Sequence, residues 1–360
     1  MEKEKNNRSS FSGKIGFVLS AAGASVGLGN IWRFPYLAAK YGGGIFLLIY
    51  ILLALTFGYT MIVAESALGR MTRKSPVGAF KAFGKKAGWL SFGGWINAII
   101  PVLIVPYYSV IGGWVIKYFV EYIKGNVNTL AQDNYFIGGW VIKYFVEYLK
   151  GNGAKLAEDG YFSNFISNGL STEICFIVFC MFTLIIIYAG VRNGIERVSK
   201  FMMPILVVLS VIIAIYSVTR PGALAGVKYF LVPNPKNFSW MTVVTAMGQM
   251  FYSLSIAMGI LVTFGSYMKK DTSIEDSTRN VEVFDTAIAI MAGLMIIPAV
   301  FAFSGGDPDT LQAGPSLMFI TIPKVFDSMG FGTFAGILFF LLVLFAAVTS
   351  SIALTESAVS

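Results

Sequence analysis

The feature that most restricts the fold of this chain is a series of long apolar stretches with almost no charged residues. A helix that crosses a bilayer needs about 20 mostly apolar residues, and eight segments meet this requirement. The predicted spans are residues 14–37, 43–69, 90–122, 172–190, 199–217, 240–268, 281–304 and 333–358. Charged residues make up 13% of the chain, about half the share found in soluble domains. The sequence therefore predicts an all-α integral membrane protein, with a tail at 1–13 and one transmembrane domain at 14–360.

The distribution of lysine and arginine predicts how these spans are oriented. The net charge is +8, and basic residues concentrate in the N-terminal tail and after the second, fourth and sixth spans. Cytoplasmic loops carry an excess of such residues, so we expect a cytoplasmic N-terminus in a plasma or inner membrane. Several lysines between residues 117 and 155 fall on the opposite side. No removable signal peptide is predicted, and the partner of these surfaces is the lipid bilayer rather than nucleic acid.

The composition argues against an enzyme. The chain has no histidine, which removes the commonest general base and metal ligand. Its two cysteines, Cys175 and Cys180, lie in one apolar run and cannot hold a metal by themselves. No nucleophile has a neighbouring base. We therefore expect no catalytic residue, no covalent cofactor and no transition metal.

One segment is duplicated in tandem. Residues 110–135 and 136–161 are a repeat of 26 residues, nearly identical over the first seventeen. Solenoids need three or more repeats to bury a core, so the pair indicates a local duplication at the outer end of the third span, or an assembly artefact. The second copy, from Gly138 to Lys150, is too short to span, and we expect an interfacial or extracellular helix.

The first and sixth predicted spans contain residues that an ordinary lipid-facing helix would not carry. The first contains AAGASVGLGNIWRFP, with Asn30 and Arg33 close to three glycines, and the sixth contains GQMFYSLSIAMG. A broken helix persists in a membrane only where protein or an aqueous cavity satisfies the freed backbone groups. Half-helix ends then offer N–H groups to anions and carbonyls to cations. These spans are therefore candidates for holding an amino acid's carboxylate next to Na⁺, although a single glycine is more often a packing contact.

A few polar side chains in the other spans have open interpretations. Carboxylates inside a membrane are functional candidates, and Glu65 and Asp285 are of this kind. A hydrogen bond to broken backbone would also explain Glu65, and a solvated helix cap would also explain Asp285. Thr349 and Ser350 offer the oxygen ligands that hard cations prefer, or they bond back to the preceding turn.

These segments resemble a known family. SAAGASVGLGNIWRFPYLAAKYGGGIF strongly resembles the first-helix signature of the neurotransmitter:sodium symporters, in particular of their bacterial amino-acid transporter branch. GQMFYSLS, NGIERVSK and FAAVTSSIA resemble its sixth-helix, fifth-helix and eighth-helix signatures. The resemblance implies a bundle in which helices one to five are related to helices six to ten by an inverted repeat, with helices one and six broken near the midplane. On that pattern the chain would be truncated in the eighth helix.

The resemblance also implies which residues form the sites, with Na⁺ as the only metal ion. The first sodium site would comprise Ser25, Asn30, Ser253 and Asp285. The second would comprise Gly23, Val26, Ala346, Thr349 and Ser350. The substrate site would comprise Ser25, Gly27, Leu28, Gly29, Ile104, Tyr108, Tyr252, Ser253, Ser255, Met258, Ser350 and Leu354. The outer gate would use Arg33, and the inner gate would use Arg8, Ser266 and Tyr267.

The implied function is sodium-coupled symport of a neutral, apolar amino acid by alternating access. Gly27 stands where the family's amine transporters carry an aspartate, so the site has room for the carboxylate of an amino acid. Asp285 replaces a common asparagine and Ala289 stands at the position tied to chloride, so transport is expected to be independent of chloride. A homodimer is a candidate assembly. The alternatives are a truncated, non-transporting fragment that at most binds ligand and sodium, and an ion channel.

Overall fold

The computed structural model describes residues 9–82, 90–123, 169–306, 317–327 and 332–360. Within these residues the chain is a bundle of α-helices. The helices are α1 (Lys14–Ser25), α2 (Phe34–Lys40), α3 (Gly44–Leu53), α4 (Tyr59–Thr72), α5 (Pro76–Lys81), α6 (Leu90–Ile123), α7 (Gly169–Tyr188), α8 (Glu196–Val218), α9 (Ala223–Leu231), α10 (Trp240–Ser253), α11 (Ile260–Ser266), α12 (Ile274–Ser304), α13 (Ile322–Asp327) and α14 (Gly332–Val359). Short π-helical segments occur at Gly29–Arg33, Ala54–Gly58, Val191–Ile195 and Leu317–Thr321.

The described helices include segments long and apolar enough to cross a membrane. By length and composition these are Gly44–Thr72, Val191–Val218, Ile274–Ser304 and Phe334–Val359. The helical segments Lys14–Ser25 and Gly29–Lys40 form a fifth candidate if the bent pair is counted as one span. The other predicted spans appear as α6, α7 and the pair α10 and α11. The prediction of an all-α membrane bundle is confirmed.

Part of the predicted organisation falls outside the described residues. Residues 138–150, the second repeat copy that is predicted to form an interfacial or extracellular helix, are outside the described residues. Arg8, which is expected in the inner gate, is also outside them. The first repeat copy begins within α6, which is continuous to Ile123.

The seventh span begins earlier than predicted. It was expected at residue 281, whereas α12 begins at Ile274. The Ser273 side chain caps the helix by accepting a hydrogen bond from the Asp276 N–H at 3.3 Å. Glu275 and Asp276 in the first turn suit the positive end of the helix dipole. Hydropathy misses this turn because it is polar, although its capping chemistry favours a helix.

The first and sixth spans are both broken, as the sequence predicts. The two halves of the first span lie at 54° to each other, with the break at residues 26–28. In the sixth span, α10 ends at Ser253 and α11 begins at Ile260. Between them Ser255 and Ala257 have φ values of 55° and 61°, a left-handed conformation that is uncommon for residues other than glycine. Strain of this kind persists where the surrounding structure fixes the backbone.

The first span lies at the centre of the bundle. Helix α1 contacts α8, α12 and α14, and α4 packs along α11. The residues around the break in the first span, such as Val26, Leu28 and Ile31, are fully buried in the apolar core. The two breaks therefore lie inside protein, where neighbouring helices can satisfy their free backbone groups.

The predicted basic loops meet at one end of the bundle. The Phe11 N–H donates to the Tyr267 carbonyl at 3.1 Å, and the Lys269 ammonium donates to the Ser12 carbonyl at 2.8 Å. Lys200 reaches the Ser12 hydroxyl at 3.1 Å. We call this the basic end; its cationic residues include Arg70, Arg73, Lys74, Lys200, Lys269 and Lys270.

Candidate functional site

A buried carboxylate lies where the first, sixth and seventh spans meet. Asp285 is 0% exposed and accepts hydrogen bonds from Asn30 at 2.8 Å and from the Ser253 hydroxyl at 2.7 Å. The Tyr50 hydroxyl is a third donor at 3.3 Å, and Ser253 also contacts the Asn30 side-chain oxygen at 3.2 Å. The solvated-cap alternative for Asp285 is wrong, because the residue lies well inside α12 and is shielded from water.

No cation balances this carboxylate within the described part of the chain. No lysine or arginine there forms an ion pair with Asp285. A buried unpaired charge is costly, and proteins retain it when it binds an ion or a proton. The Asn30, Ser253 and Asp285 oxygens are hard ligands of the kind that alkali and alkaline-earth cations prefer.

A second group of oxygens joins the first span to the eighth. The Ser350 hydroxyl lies 3.4 Å from the Gly23 carbonyl and 3.5 Å from the Val26 carbonyl. Thr349 on the same helix bonds back to the Phe345 carbonyl at 2.9 Å and to the Ala346 carbonyl at 3.3 Å. Thr349 therefore bonds to its own turn, whereas Ser350 reaches across to the broken helix. The interpretation of the pair as cation ligands stays a prediction.

A small cavity lies between the two breaks. Its volume is about 20 Å³, which is enough for about one water molecule. Most of the predicted substrate residues line it. The lining residues are Ala24, Ser25, Gly27, Gly29, Ile104, Tyr108, Tyr252, Ser255, Met258, Ile260, Ser350 and Leu354.

The lining differs from the sequence prediction at four positions. Leu28 packs into the apolar core, and Ser253 turns towards Asp285, so neither lines the cavity. Ala24 and Ile260 line it without having been singled out. They flank the breaks and have no polar atoms in their side chains, so the sequence carries no signal that distinguishes them from ordinary core residues.

Two glycines allow the walls of this cavity to meet. A Cβ atom on Gly29 would lie 2.3 Å from Cε1 of Tyr252. A Cβ atom on Gly27 would lie 2.6 Å from the Ser350 hydroxyl oxygen and 2.9 Å from the Tyr108 hydroxyl oxygen. Any larger residue at either position would displace these side chains. Both glycines are therefore required by close approach rather than by backbone conformation.

Polar side chains close the cavity on the side away from the basic end. The Tyr108 and Tyr252 hydroxyls are hydrogen-bonded to each other. The Arg33 guanidinium lies 5.1 Å from the Tyr252 ring centre and donates to the Gln249 side-chain oxygen at 3.1 Å. Gln249 in turn donates to the Gly29 carbonyl at 3.2 Å. Arg33 therefore ties the two broken spans together above the cavity.

Glu65 supports the break in the sixth span. Its Oε1 accepts a hydrogen bond from the Ala257 N–H at 2.8 Å. Of the two interpretations of Glu65, this contact agrees with the one in which its carboxylate accepts a hydrogen bond from the backbone at a helix break. Its Oε2 is buried and has no hydrogen-bond partner.

Ser266 and Tyr267, which are predicted to belong to the inner gate, lie towards the basic end. The Tyr267 hydroxyl donates to Glu356 at 2.5 Å, and the Ser266 carbonyl accepts a hydrogen bond from Arg73 at 3.1 Å. Glu356 was not assigned any role from the sequence, because only the fold brings it against Tyr267. It links the eighth span to the inner half of the sixth.

Two broken helices packed around buried side-chain oxygens and a small cavity are the arrangement of a class of secondary transporters with broken spanning helices. Comparisons with known proteins identify the family. A model of the sodium:neurotransmitter symporter family matches residues 8–360, and the chain belongs to this family. It is therefore a multi-pass, sodium-coupled membrane transporter and not an enzyme.

Individual relatives agree with this assignment. The sodium-dependent transporter YhdH of Bacillus subtilis is 36% identical over 346 residues, which cover 96% of this chain and 70% of the relative. A sodium-dependent transporter of Haemophilus influenzae is 32% identical, over 99% of this chain and 74% of the relative. The crystal structure of MhsT in complex with L-phenylalanine matches with a TM-score of 0.80 and 34% identity, over 98% of this chain and 74% of MhsT.

Proposed function

We propose that this transporter carries a neutral, apolar amino acid together with Na⁺, and that both bind between the breaks in the first and sixth spans. One observation carries the proposal: a buried carboxylate without a cationic partner among the described residues lies beside a small, largely apolar cavity. The cavity and the carboxylate are bordered by the same two broken helices.

The first sodium ion would bind at the Asp285 cluster. Asn30, Ser253 and Asp285 already hold their oxygens within hydrogen-bond distance of one another. A sodium ion would replace the hydrogen bond from Ser253 to Asp285 with ion–oxygen contacts. The carbonyl of Ser25 and the carboxylate of the amino acid would complete the ligand set and make the binding of the two substrates interdependent.

The second sodium ion would bind between α1 and α14. Thr349 and Ser350 would supply hydroxyl oxygens, and the carbonyls of Gly23, Val26 and Ala346 would supply the rest. Support comes from Ser350, whose hydroxyl lies 3.4–3.5 Å from the carbonyls of the broken helix. An ion there would hold the first and eighth spans together.

The amino acid would bind with its charged groups at the break in the first span. The N–H groups freed at the break, together with Tyr108, would bind the carboxylate, as half-helix ends bind anions. Ile104, Met258 and Leu354 would contact the side chain. MhsT, the relative solved in complex with L-phenylalanine, supports a neutral amino acid, and we infer an aliphatic or phenyl side chain.

Binding requires the gates to move. The cavity of about 20 Å³ is far too small for an amino acid, because ligand sites are typically at least about 300 Å³. Tyr108, Tyr252 and Arg33 would swing outwards to admit the substrate. Ser266 and Tyr267, together with Arg8, would open the opposite path, which is alternating access.

The basic end would face the cytoplasm. Arg70, Arg73, Lys74, Lys200 and Lys269 meet there, as the excess of basic residues in cytoplasmic loops predicts. A Ser75→Cys variant in the basic loop tests this orientation. A membrane-impermeant maleimide should label it only after the cells are permeabilised, and labelling of intact cells would reverse the assignment.

The test of the proposed substrates is binding of radiolabelled L-leucine and L-phenylalanine to the purified protein, in NaCl and in KCl. Saturable binding in sodium that is lost in potassium and in Asn30→Ala supports the proposal. The matched control is Asn280→Ala, which removes the same side chain from an exposed position on α12 and should bind like the unmodified protein. Equal binding in both salts would refute sodium coupling at this site.

A further inference from the structure

A groove opens at the basic end of the bundle, away from the substrate cavity. It lies between the last turns of α4 and the start of α12 and has a volume of about 650 Å³. Its wall includes Ala67, Leu68, Met71 and Ile274, and the groove also contains two cationic side chains, Arg70 and Lys270. None of these residues takes part in the sites described above.

Both cations can receive an anion. Lys270 is exposed, and no carboxylate in the described part of the chain forms an ion pair with it. Arg70 donates one hydrogen bond, to the Thr272 carbonyl. A guanidinium has five N–H donors, so others are available. The neighbouring Asp271 and Glu275 pair with neither cation among the described residues.

The apolar wall of the groove is continuous with the outer surface of the spanning helix. In the apolar 18-residue stretch of the span Gly44–Thr72, only 33% is buried inside the protein. Met71 is 67% exposed, although it adjoins the basic loop. A soluble anion would gain nothing from such a wall, whereas an acyl chain would bury apolar surface against it.

We propose that this groove binds an anionic phospholipid from the leaflet at the basic end. The phosphate lies between the Arg70 guanidinium and the Lys270 ammonium, where charge-assisted hydrogen bonds are strong. An acyl chain follows Leu68, Met71 and Ile274 into the bilayer. Basic pockets between spanning helices on the cytoplasmic side bind acidic headgroups by the same chemistry.

The site is connected to the moving part of the transporter. Arg70 holds the carbonyl of Thr272, in the segment that joins α11 to α12. Helix α11 is the inner half of the broken sixth span. A lipid bound to Arg70 and Lys270 therefore stabilises the arrangement of this segment in which both cations face the groove.

The test is native mass spectrometry of the full chain in detergent, titrated with phosphatidylglycerol or with phosphatidylcholine of the same acyl chains. The protein should bind phosphatidylglycerol at least tenfold more tightly. Each cation contributes about fivefold, so Lys270→Gln should lose about fivefold and the double variant with Arg70→Gln about 25-fold. Lys236→Gln, an exposed lysine on the opposite side of the sixth span, should lose nothing.

Lys270→Gln keeps the test valid if Arg70→Gln disturbs folding, because Lys270 makes no described ion pair. A neutral substitution, Ala67→Phe, should also weaken lipid binding by filling the groove. Equal affinity for the two lipids, or unchanged affinity in Lys270→Gln, would overturn the proposal. Displacement of the lipid by equimolar glycerol 1-phosphate would show a site for soluble anions instead.

Discussion

Neutralising Asp285 is the most informative perturbation of the proposed sodium site. The Asp285→Asn change keeps the shape of the side chain and one carbonyl oxygen, but removes a charge that is 0% exposed. In the sodium-bound protein this charge attracts the ion directly. In the absence of sodium, no described lysine or arginine pairs with it. The substitution should therefore weaken sodium binding without destabilising the sodium-free protein.

The size of the effect follows from electrostatics. Two unit charges about 4 Å apart attract by about 4 kcal/mol at an effective dielectric constant of about 20. The asparagine oxygen remains a ligand and recovers part of this energy. We expect a net loss of about 2–3 kcal/mol, which is about 30-fold to 150-fold in sodium affinity.

Thermal unfolding measures this effect without any knowledge of the amino acid. An ion that binds only the folded protein stabilises it in proportion to ln(1 + [Na⁺]/Kd). The rise in Tm as NaCl replaces KCl at constant ionic strength therefore reports the sodium affinity. Glu282→Gln is the matched control, because Glu282 is a buried carboxylate one turn from Asp285 and accepts a hydrogen bond from the Thr286 hydroxyl at 3.4 Å.

The expected pattern separates ligation from a general field effect. Asp285→Asn should shift the sodium titration by at least thirtyfold, with a Tm in KCl no lower than that of the unmodified protein. Glu282→Gln should shift the titration far less. Equal shifts in the two variants, or an unchanged titration in Asp285→Asn, would refute the assignment of Asp285 as a sodium ligand.

Three further predictions concern the cavity, the break in the sixth span and chloride. Gly29→Ala should weaken L-phenylalanine binding at least tenfold, because the new Cβ would lie 2.3 Å from the Tyr252 ring; unchanged affinity in a radioligand assay would contradict this. Glu65→Ala should lower the Tm, because it leaves the Ala257 N–H without its acceptor at a cost of about 1–3 kcal/mol. Glu65→Gln keeps an acceptor oxygen and should retain most of the Tm of the unmodified protein. Equal Tm losses in the two variants would argue against this hydrogen bond. Replacing chloride with gluconate should leave sodium-dependent uptake unchanged, because Asp285 supplies a fixed negative charge, and chloride-stimulated uptake would contradict that role.

Much of the fold could be predicted from the sequence because a bilayer imposes simple rules on it. Apolar length identified the spans, and the glycines beside Asn30 and Arg33 identified the break in the first. The start of α12 at Ile274 was missed, because its first turns are polar and hydropathy detects only the membrane-embedded part. Capping chemistry at Ser273 was the available signal.

The site was predictable only where a residue type is exceptional in a membrane. Asp285 stands out because a carboxylate inside a span needs a reason, yet only the fold shows that it meets Asn30, which lies 255 positions away in the chain. Ile260 gave no such signal, because its side chain is apolar. Glu356 is a carboxylate within the eighth predicted span, but it lies near the end of that span and its residue type alone did not assign it a role. Their contacts with Tyr267 and with the cavity depend on how distant helices pack, which periodicity does not encode.

The most direct test of sodium-coupled amino-acid transport is uptake of radiolabelled L-leucine or L-phenylalanine into proteoliposomes that contain the purified chain. With an inward sodium gradient, the amino acid should accumulate above its external concentration, and a sodium ionophore should abolish the accumulation. Asn280→Ala should behave like the unmodified protein, and Asn30→Ala should not accumulate substrate. Uptake that only equilibrates, with or without the gradient, would contradict coupling between the two substrates.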